Sequence, residues 1–422
     1  MSGLLSEDQL EQKIRDGLAG LPLDNKRVLV IIPDFTRTIP LPLFFRFITK
    51  ALNGRCKQTD FLVALGTHPP LSEERLLTLV GLTPVEKAQK YAHVNLYNHH
   101  WQDPAMLASI GQISHKQMEE ISRGLMHEEV TVRINRLALE YDHLLVCGPV
   151  FPHEVAGFSG GNKYFFPGIS GQDVIDLSHW LGALLTSYQI IGVPDTPVRR
   201  LIDLATSFIP RPRSAICAVT TEEGVVDVFC GPPETAWSQA AVLSSQVHIK
   251  WVDHTYRTVL SVLPTMYDEI WTGAKGMYKM EPVVADSGEV IIYAPHIKTF
   301  SVVHGEKIRE IGYHVRDYFL KQPGRFDHIP AGVRAHATHL RGMGEYDPIT
   351  GIETPRIRVT LATGIPESEC QAVNLGYRDP AGINVAEWAA RQDQDLLVVP
   401  RAGEYLYRLK LPDDAGLVKM DI

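Results

Sequence analysis

Cysteine is scarce in this chain of 422 residues: Cys56, Cys147, Cys217, Cys230 and Cys370 lie far apart. None of them has the short spacing of a zinc knuckle or a redox pair, a pattern that reads as reduced thiols in a cytoplasm. Basic residues are outnumbered, 41 Lys and Arg against 49 Asp and Glu, giving a formal charge of −8. That excludes the general basic footprint of a nucleic-acid binder, though a pocket can still be locally positive on an acidic protein. Uncharged apolar runs of membrane-spanning length are lacking. Met1 to Leu23 carries several charges and reads neither as a signal peptide nor as a span. A soluble cytoplasmic protein is the expectation. The standard nucleotide and metal signatures are missing too. No glycine run has the dinucleotide spacing, none ends in Gly-Lys-Ser/Thr, and no His-Glu-x-x-His stretch occurs. These absences argue against a nicotinamide-dependent dehydrogenase, a P-loop protein and a zinc hydrolase of the usual kinds.

What is present is an ordinary globular balance, 45% apolar and 21% charged, in a chain long enough for two or three domains. Residues 27–33, 59–65 and 141–147 are short, β-branched apolar runs that predict buried strands. Apolar residues recur at helical spacing from Pro42 to Leu52, and Ser72 reads as the N-cap of another helix. Strand, loop, helix in repetition predicts a mostly parallel sheet flanked by helices, with ligands outside the carboxyl ends of the strands. The pattern changes near 265–275, and residues 289–295 and 395–400 read as further buried strands. The expectation is two α/β domains, residues 1–268 and 269–422, with the active site in the cleft between them. The final 20 or so residues are expected to pack back on the first domain.

Three segments carry candidate chemistry. In the run from His153 to Gly168, Gly157, Gly160 and Gly161 allow positive φ and close backbone approach to a ligand. Ser159 and nearby amides suit an anion, and Lys163 offers a charge partner or a covalent attachment point. A plain glycine-rich turn with a solvated lysine has the same composition. Histidine is the second feature: 17 are present, of which His68, His99, His100, His153 and His179 lie in or beside loops. Imidazole serves as a general base near neutral pH and as a nickel or zinc ligand. His68, just past a predicted strand, is the best placed. His304, His336 and His339 have no companion motif and are read as structural. Third is Asp34-Phe35-Thr36-Arg37 at a strand end, where loop amides bind phosphate and Arg37 can grip a carboxylate. Simple capping by Asp34 or Thr36 explains the same residues.

Taken together, Asp34 to Arg37, Gly66-Thr67-His68-Pro69-Pro70, Asn98-His99, the run His153 to Gly168 and the following His179 resemble the nickel-dependent lactate racemase family (the LarA-type 2-hydroxy-acid racemases and epimerases). The resemblance is firmer before residue 270 than after it. It implies a nickel-pincer nucleotide, a pyridinium mononucleotide with two sulfur-bearing arms that bind nickel, joined covalently to Lys163. His179 matches the nickel ligand, and His68 and His153 match the acid–base pair. Arg37 and Lys275 match substrate-binding positions. Trp271 and Thr272 fall where the lactate enzyme has tyrosine and glutamine, and are carried over as substrate contacts. Asp34, Thr36, Ser159, Gly160 and Gly161 complete the expected cofactor-binding set. His99 is kept as a reserve base. The reaction implied is inversion of the α-carbon of a small 2-hydroxy acid, lactate or a related acid such as malate or a sugar acid, by reversible hydride transfer. Partners implied are the proteins that synthesise and load the cofactor, and a homodimer is left open. Phe35, Phe165, Phe166 and Trp271 beside the motifs suggest a largely apolar substrate side chain, a place in the core being the equal alternative.

Overall fold

The structure, a computed structural model, describes residues 3–410. Its fold is α/β, with mostly parallel sheets flanked by helices. The chain divides into two compact units, each assembled from more than one stretch. The first unit takes residues up to Phe151, then Ser159–Ile175 and Arg199–Ser244; the second takes Pro152–Phe158, Asp176–Val198 and the described residues from Ser245 onward.

The first unit is built on a six-stranded sheet. Its strands lie in the order Gly224–Gly231, Arg213–Thr221, His143–Pro149, Arg27–Ile32, Gln58–Val63 and Leu96–Asn98. All neighbours are parallel except the first pair. Five of the six residues of Arg27–Ile32 are buried, as expected of a strand covered on both faces. Val28, Val30 and Ile32 pack against Phe44, Phe45 and Ile48 of the helix Leu41–Leu52. Burying a side chain of this size contributes roughly 1.5–3 kcal/mol, so this layer fixes where the strand ends. Ser72 does cap the helix Glu73–Val80, its hydroxyl accepting from the Arg75 N–H. Arg27–Ile32 pairs with Gln58–Val63 on one side and His143–Pro149 on the other. Chain order reverses there, which is where open α/β sheets collect ligands.

The second unit has a five-stranded, wholly parallel sheet in the order Gly376–Tyr377, Arg358–Thr363, Val284–Ala294, Tyr256–Val262, Leu396–Val399. Leu260, Ile291, Ala362 and Val398 form its core. A single cut at residue 268 differs from this division. The strand Tyr256–Val262 pairs with Val284–Ala294 and Leu396–Val399, so its hydrogen bonds group it with the later sheet. Two short stretches, 152–158 and 176–198, join that unit as well. Leu406–Leu409 pairs with Ile249–Val252, both in the second unit; residues 411–422, on which the expectation of packing back also falls, lie outside the described residues.

Candidate functional site

In the first unit, the turn after Arg27–Ile32 is organised by Asp34. Its Oδ1 accepts from the Thr36 N–H (3.0 Å) and the Thr36 hydroxyl (2.6 Å), closing a local turn that tolerates the abrupt strand end. Arg37 Nη1 donates to Thr36 Oγ1 at 2.7 Å, and its guanidinium lies 5.7 Å from the centre of the Phe151 ring. The other Asp34 oxygen bonds His68 Nδ1. Burial alone would raise the Asp34 pKa; the charges of His68 and Arg37 and the hydrogen bonds from His68 and Thr36 outweigh it and hold the carboxyl well below the usual range. A carboxylate on Nδ1 fixes the imidazole tautomer, placing the proton on Nδ1 and the lone pair on Nε2. Asp34 is thus occupied with Thr36 and His68, a different task from the cofactor binding expected of it. His68 follows Gly66, whose φ of +58° and N–H bond to Gly168 O (3.0 Å) tie this loop to the end of the lysine-bearing run.

That run is compact. Ser159 donates its hydroxyl to Pro149 O and accepts from the Phe151 N–H, each at 3.0 Å. The hydroxyl therefore holds the turn together, rather than standing open to an anion. Gly160 and Gly161 have φ of +80° and +57°, and a short 3₁₀ turn, Gly161–Tyr164, follows. From Ser159 to Pro167 every residue is buried except Lys163. Tyr164, buried beside it, lies within electrostatic reach of Asp34 and Arg37. The first unit therefore brings the Asp34 turn, His68 and the Lys163 loop together. Phe165 and Phe166 are fully buried core side chains, which removes them as candidates for lining a substrate pocket.

In the second unit, His153 sits in a two-residue strand, Pro152–His153, paired with Gly157–Phe158. It is buried; its Nδ1 accepts from the Val155 N–H at 3.1 Å and lies 3.4 Å from Glu154 Oε2. An accepting Nδ1 puts the proton of a neutral ring on Nε2, the tautomer opposite to that of His68. His179 is half-buried on the helix Gln172–Leu185, with Nδ1 3.4 Å from Ser178 Oγ. Lys275 is buried; Nζ donates to Thr272 O at 3.4 Å and stands 5.0 Å from the Tyr267 ring centre. The Thr272 hydroxyl is used locally, donating to Glu269 O at 3.1 Å.

Trp271 packs between two histidines read from the sequence as structural: its ring centroid is 4.5 Å from that of His304 and 4.2 Å from that of His336. Burial, then the neighbouring His339, His304, Lys275 and His179, pushes the His336 pKa well down. His339 is pushed to about 4, by burial and by His179 against the opposing charge of Glu154. Lys275, Trp271, His179, His304, His336 and His339 therefore form one electrostatic neighbourhood. The signal available in the sequence was the i, i+3 pair His336 and His339 on the helix Ala331–Arg341. His99 is fully buried, with Nε2 2.9 Å from Ser170 O and Nδ1 3.1 Å from Asn135 Nδ2. Both ring nitrogens are engaged and burial lowers its pKa to about 4, so it serves the core. Among the described residues no group of three His, Cys, Asp or Glu is placed to hold a metal ion, and no helix is long and apolar enough to cross a membrane.

Mostly parallel sheets flanked by helices define an α/β protein. Residues 12–190 match the family model described as the lactate racemase N-terminal domain. The lactate racemase of Thermoanaerobacterium thermosaccharolyticum is 25% identical over 283 residues, and that of Lactiplantibacillus plantarum 28% over 183. These matches cover 66% and 42% of this chain, but only 62% and 39% of the relatives' own lengths. A crystal structure of a Thermotoga maritima protein is 33% identical, with a TM-score of 0.88, covering 97% of this chain and 100% of that one. The lactate racemase apoprotein of T. thermosaccharolyticum superposes with a TM-score of 0.71 at 19% identity, covering 96% and 93%, a likeness of fold. Residues 12–190 are thus similar to the lactate racemase N-terminal domain, and the chain has sequence similarity to two lactate racemases.

Proposed function

We propose that this protein inverts the α-carbon of a small 2-hydroxy acid, lactate or a close relative, using a nickel-pincer nucleotide attached through Lys163. The carrying observation is the Asp34–His68 pair in the same unit as the buried loop whose one half-buried residue is Lys163. The residues suit such a group. Attachment needs an amine on a fixed loop, which the half-buried Lys163 supplies; nickel accepts an imidazole donor, which His179 supplies. A single ligand would be asked of the protein, His179, with the remaining donors coming from the cofactor itself.

When bound, the cofactor supplies the hydride acceptor that a barely acidic α-hydrogen demands. The chain's task is protons and orientation. His68 Nε2, whose lone pair the Asp34 bond at Nδ1 leaves free of a proton, takes the hydroxyl proton of one enantiomer. His153, as the imidazolium with Nδ1–H turned to Glu154 in place of the Val155 bond, returns its Nε2 proton to the planar 2-oxo acid as the substrate is re-formed and reverts to a neutral ring with Nε2 free; the roles exchange for the opposite enantiomer. Arg37 and Lys275 hold the carboxylate. Trp271, with the rings of His304 and His336 beside it, is the proposed contact for the rest of the substrate.

Attachment is tested by intact-mass measurement after co-expression with the cofactor-synthesis proteins. Wild type should gain hundreds of daltons and Lys163→Ala should gain none. An adduct that survives in Lys163→Ala overturns the assignment.

A further inference from the structure

The loop that carries Lys163 is conformationally expensive. Two adjacent glycines at positive φ lose more backbone freedom on ordering than any other residue type. Side chains on two helices of the same unit, from the buried Arg199 to the exposed Glu234, hold it in place. The helix Pro197–Ser207 provides Arg199 and Asp203 at i, i+4, and Pro233–His248 provides Glu234 and Trp237 at i, i+3; each pair shares a helix face.

Trp237 Nε1 donates to Ser159 O at 2.8 Å. A Cβ on Gly161 would sit 2.8 Å from Trp237 Cβ, so the loop backbone rests directly on that residue. The buried Arg199 guanidinium lies 4.1 Å from the Trp237 ring centre and donates to Gly160 O at 3.4 Å. Asn162, only 2% exposed, sends both amide hydrogens outward from the loop. Its Nδ2 donates to Asp203 Oδ1 at 2.9 Å and to Glu234 Oε1 at 2.8 Å. Two carboxylates accept and cannot donate, which fixes the amide orientation and demands a neutral double donor at this position. Asp would add a third carboxylate. Each charge-assisted bond is stronger than a neutral one, and Asn162 is the residue next to Lys163.

We propose that Asn162, clamped by Asp203 and Glu234, together with Trp237, is a positioning device that sets where Lys163 presents its amine. The inference rests on the reading of Lys163 as the attachment point. It concerns the rate at which that lysine is modified and asks nothing of turnover. Attachment chemistry depends on placement, and a shift on the order of 1 Å can cost about 100-fold.

The test uses the full chain in wild-type, Asn162→Ala and Trp237→Phe forms, the last keeping an aromatic six-membered ring while losing the N–H donor and the smaller ring that carries it. Two readouts are taken beside the melting temperature. One is the rate of covalent loading by intact mass with the cofactor-synthesis proteins. The other is the rate of Lys163 acetylation by acetic anhydride in cofactor-free protein, mapped by peptide mass against the remaining lysines. Loading should fall at least ~10-fold in Asn162→Ala and measurably in Trp237→Phe. Lys163 acetylation should change selectively while Trp237→Phe keeps a near-wild-type melting temperature. Loading and Lys163 acetylation at wild-type rates in both variants overturn the inference. If Asn162→Ala fails to fold, Trp237→Phe decides by the same criteria. A wild type that gains no mass while Lys163 acetylation still responds to both variants overturns the attachment reading and leaves the positioning of Lys163 supported.

Discussion

Asp34 and His68 are 34 positions apart and meet because two parallel neighbouring strands end side by side. Each was visible in sequence as a polar residue past an apolar run. Their bond was not, because adjacency across strands depends on sheet order, which periodicity does not encode. The same holds for His304, His336 and His339, which reach Trp271, His179 and Lys275 from segments far apart in the chain. By contrast, the Ser159–Lys163 run was readable as a unit, since its residues are consecutive and its glycines announce the backbone. Replacing Asp34 by Asn keeps the shape and removes the charge that fixes the His68 tautomer. Turnover of the loaded enzyme should fall by about 10²-fold or more, within the range a positioned base contributes; near-wild-type turnover would deny Asp34 that role. A pH effect accompanies it. The folded-state pKa of Asp34 is depressed, so its contribution to stability is complete above the unfolded carboxylate value of about 3.9 and is lost as pH falls through the folded value. In urea titrations the stability gap between wild type and Asp34→Asn should be constant near neutrality and shrink below about pH 4. A gap that widens on acidification would contradict that assignment.

At the scale of elements, the strands and helices of the first sheet lay close to their expected positions, as 27–33 and 59–65 against Arg27–Ile32 and Gln58–Val63. Apolar runs covered on both faces are strong signals. The two-residue strands Pro152–His153 and Gly157–Phe158 are too short to show any period, and they are held instead by turn geometry. Gly157 has φ +77°, and a Cβ there would lie 1.7 Å from Val193 O. Gly124, with φ +81° and nothing within 4 Å of a built Cβ, offers a control that carries the conformational cost alone. Gly124→Ala should lose about 1–2 kcal/mol, the penalty of the left-handed region, and Gly157→Ala clearly more, because backbone must also move. Denaturant midpoints with unchanged m-values would measure both. Equal losses in the two variants would show that the Val193 contact yields freely.

At the scale of the whole molecule, the α/β class was legible because strand and helix signals alternate along the chain. The way the chain is shared between the two units was not. Hydrophobic pattern identifies a strand and is silent on which sheet completes it, so Tyr256–Val262 looked like a continuation of the first domain while its partners lie further along the chain. The short inserts 152–158 and 176–198 place His153 and His179 in the second unit, while His68 and Lys163 belong to the first. The most direct test starts from wild-type protein with its cofactor mass confirmed, mixed separately with single enantiomers of lactate and of related 2-hydroxy acids, and follows optical purity by chiral chromatography. At least one pure enantiomer should run to a near-equal mixture from either side, and His68→Ala and His153→Ala, loaded to the same extent, should each lose about 10²–10⁴-fold of that rate. Loaded wild-type protein that leaves every enantiomer unchanged, or undiminished racemisation in both histidine variants, would contradict the proposed reaction.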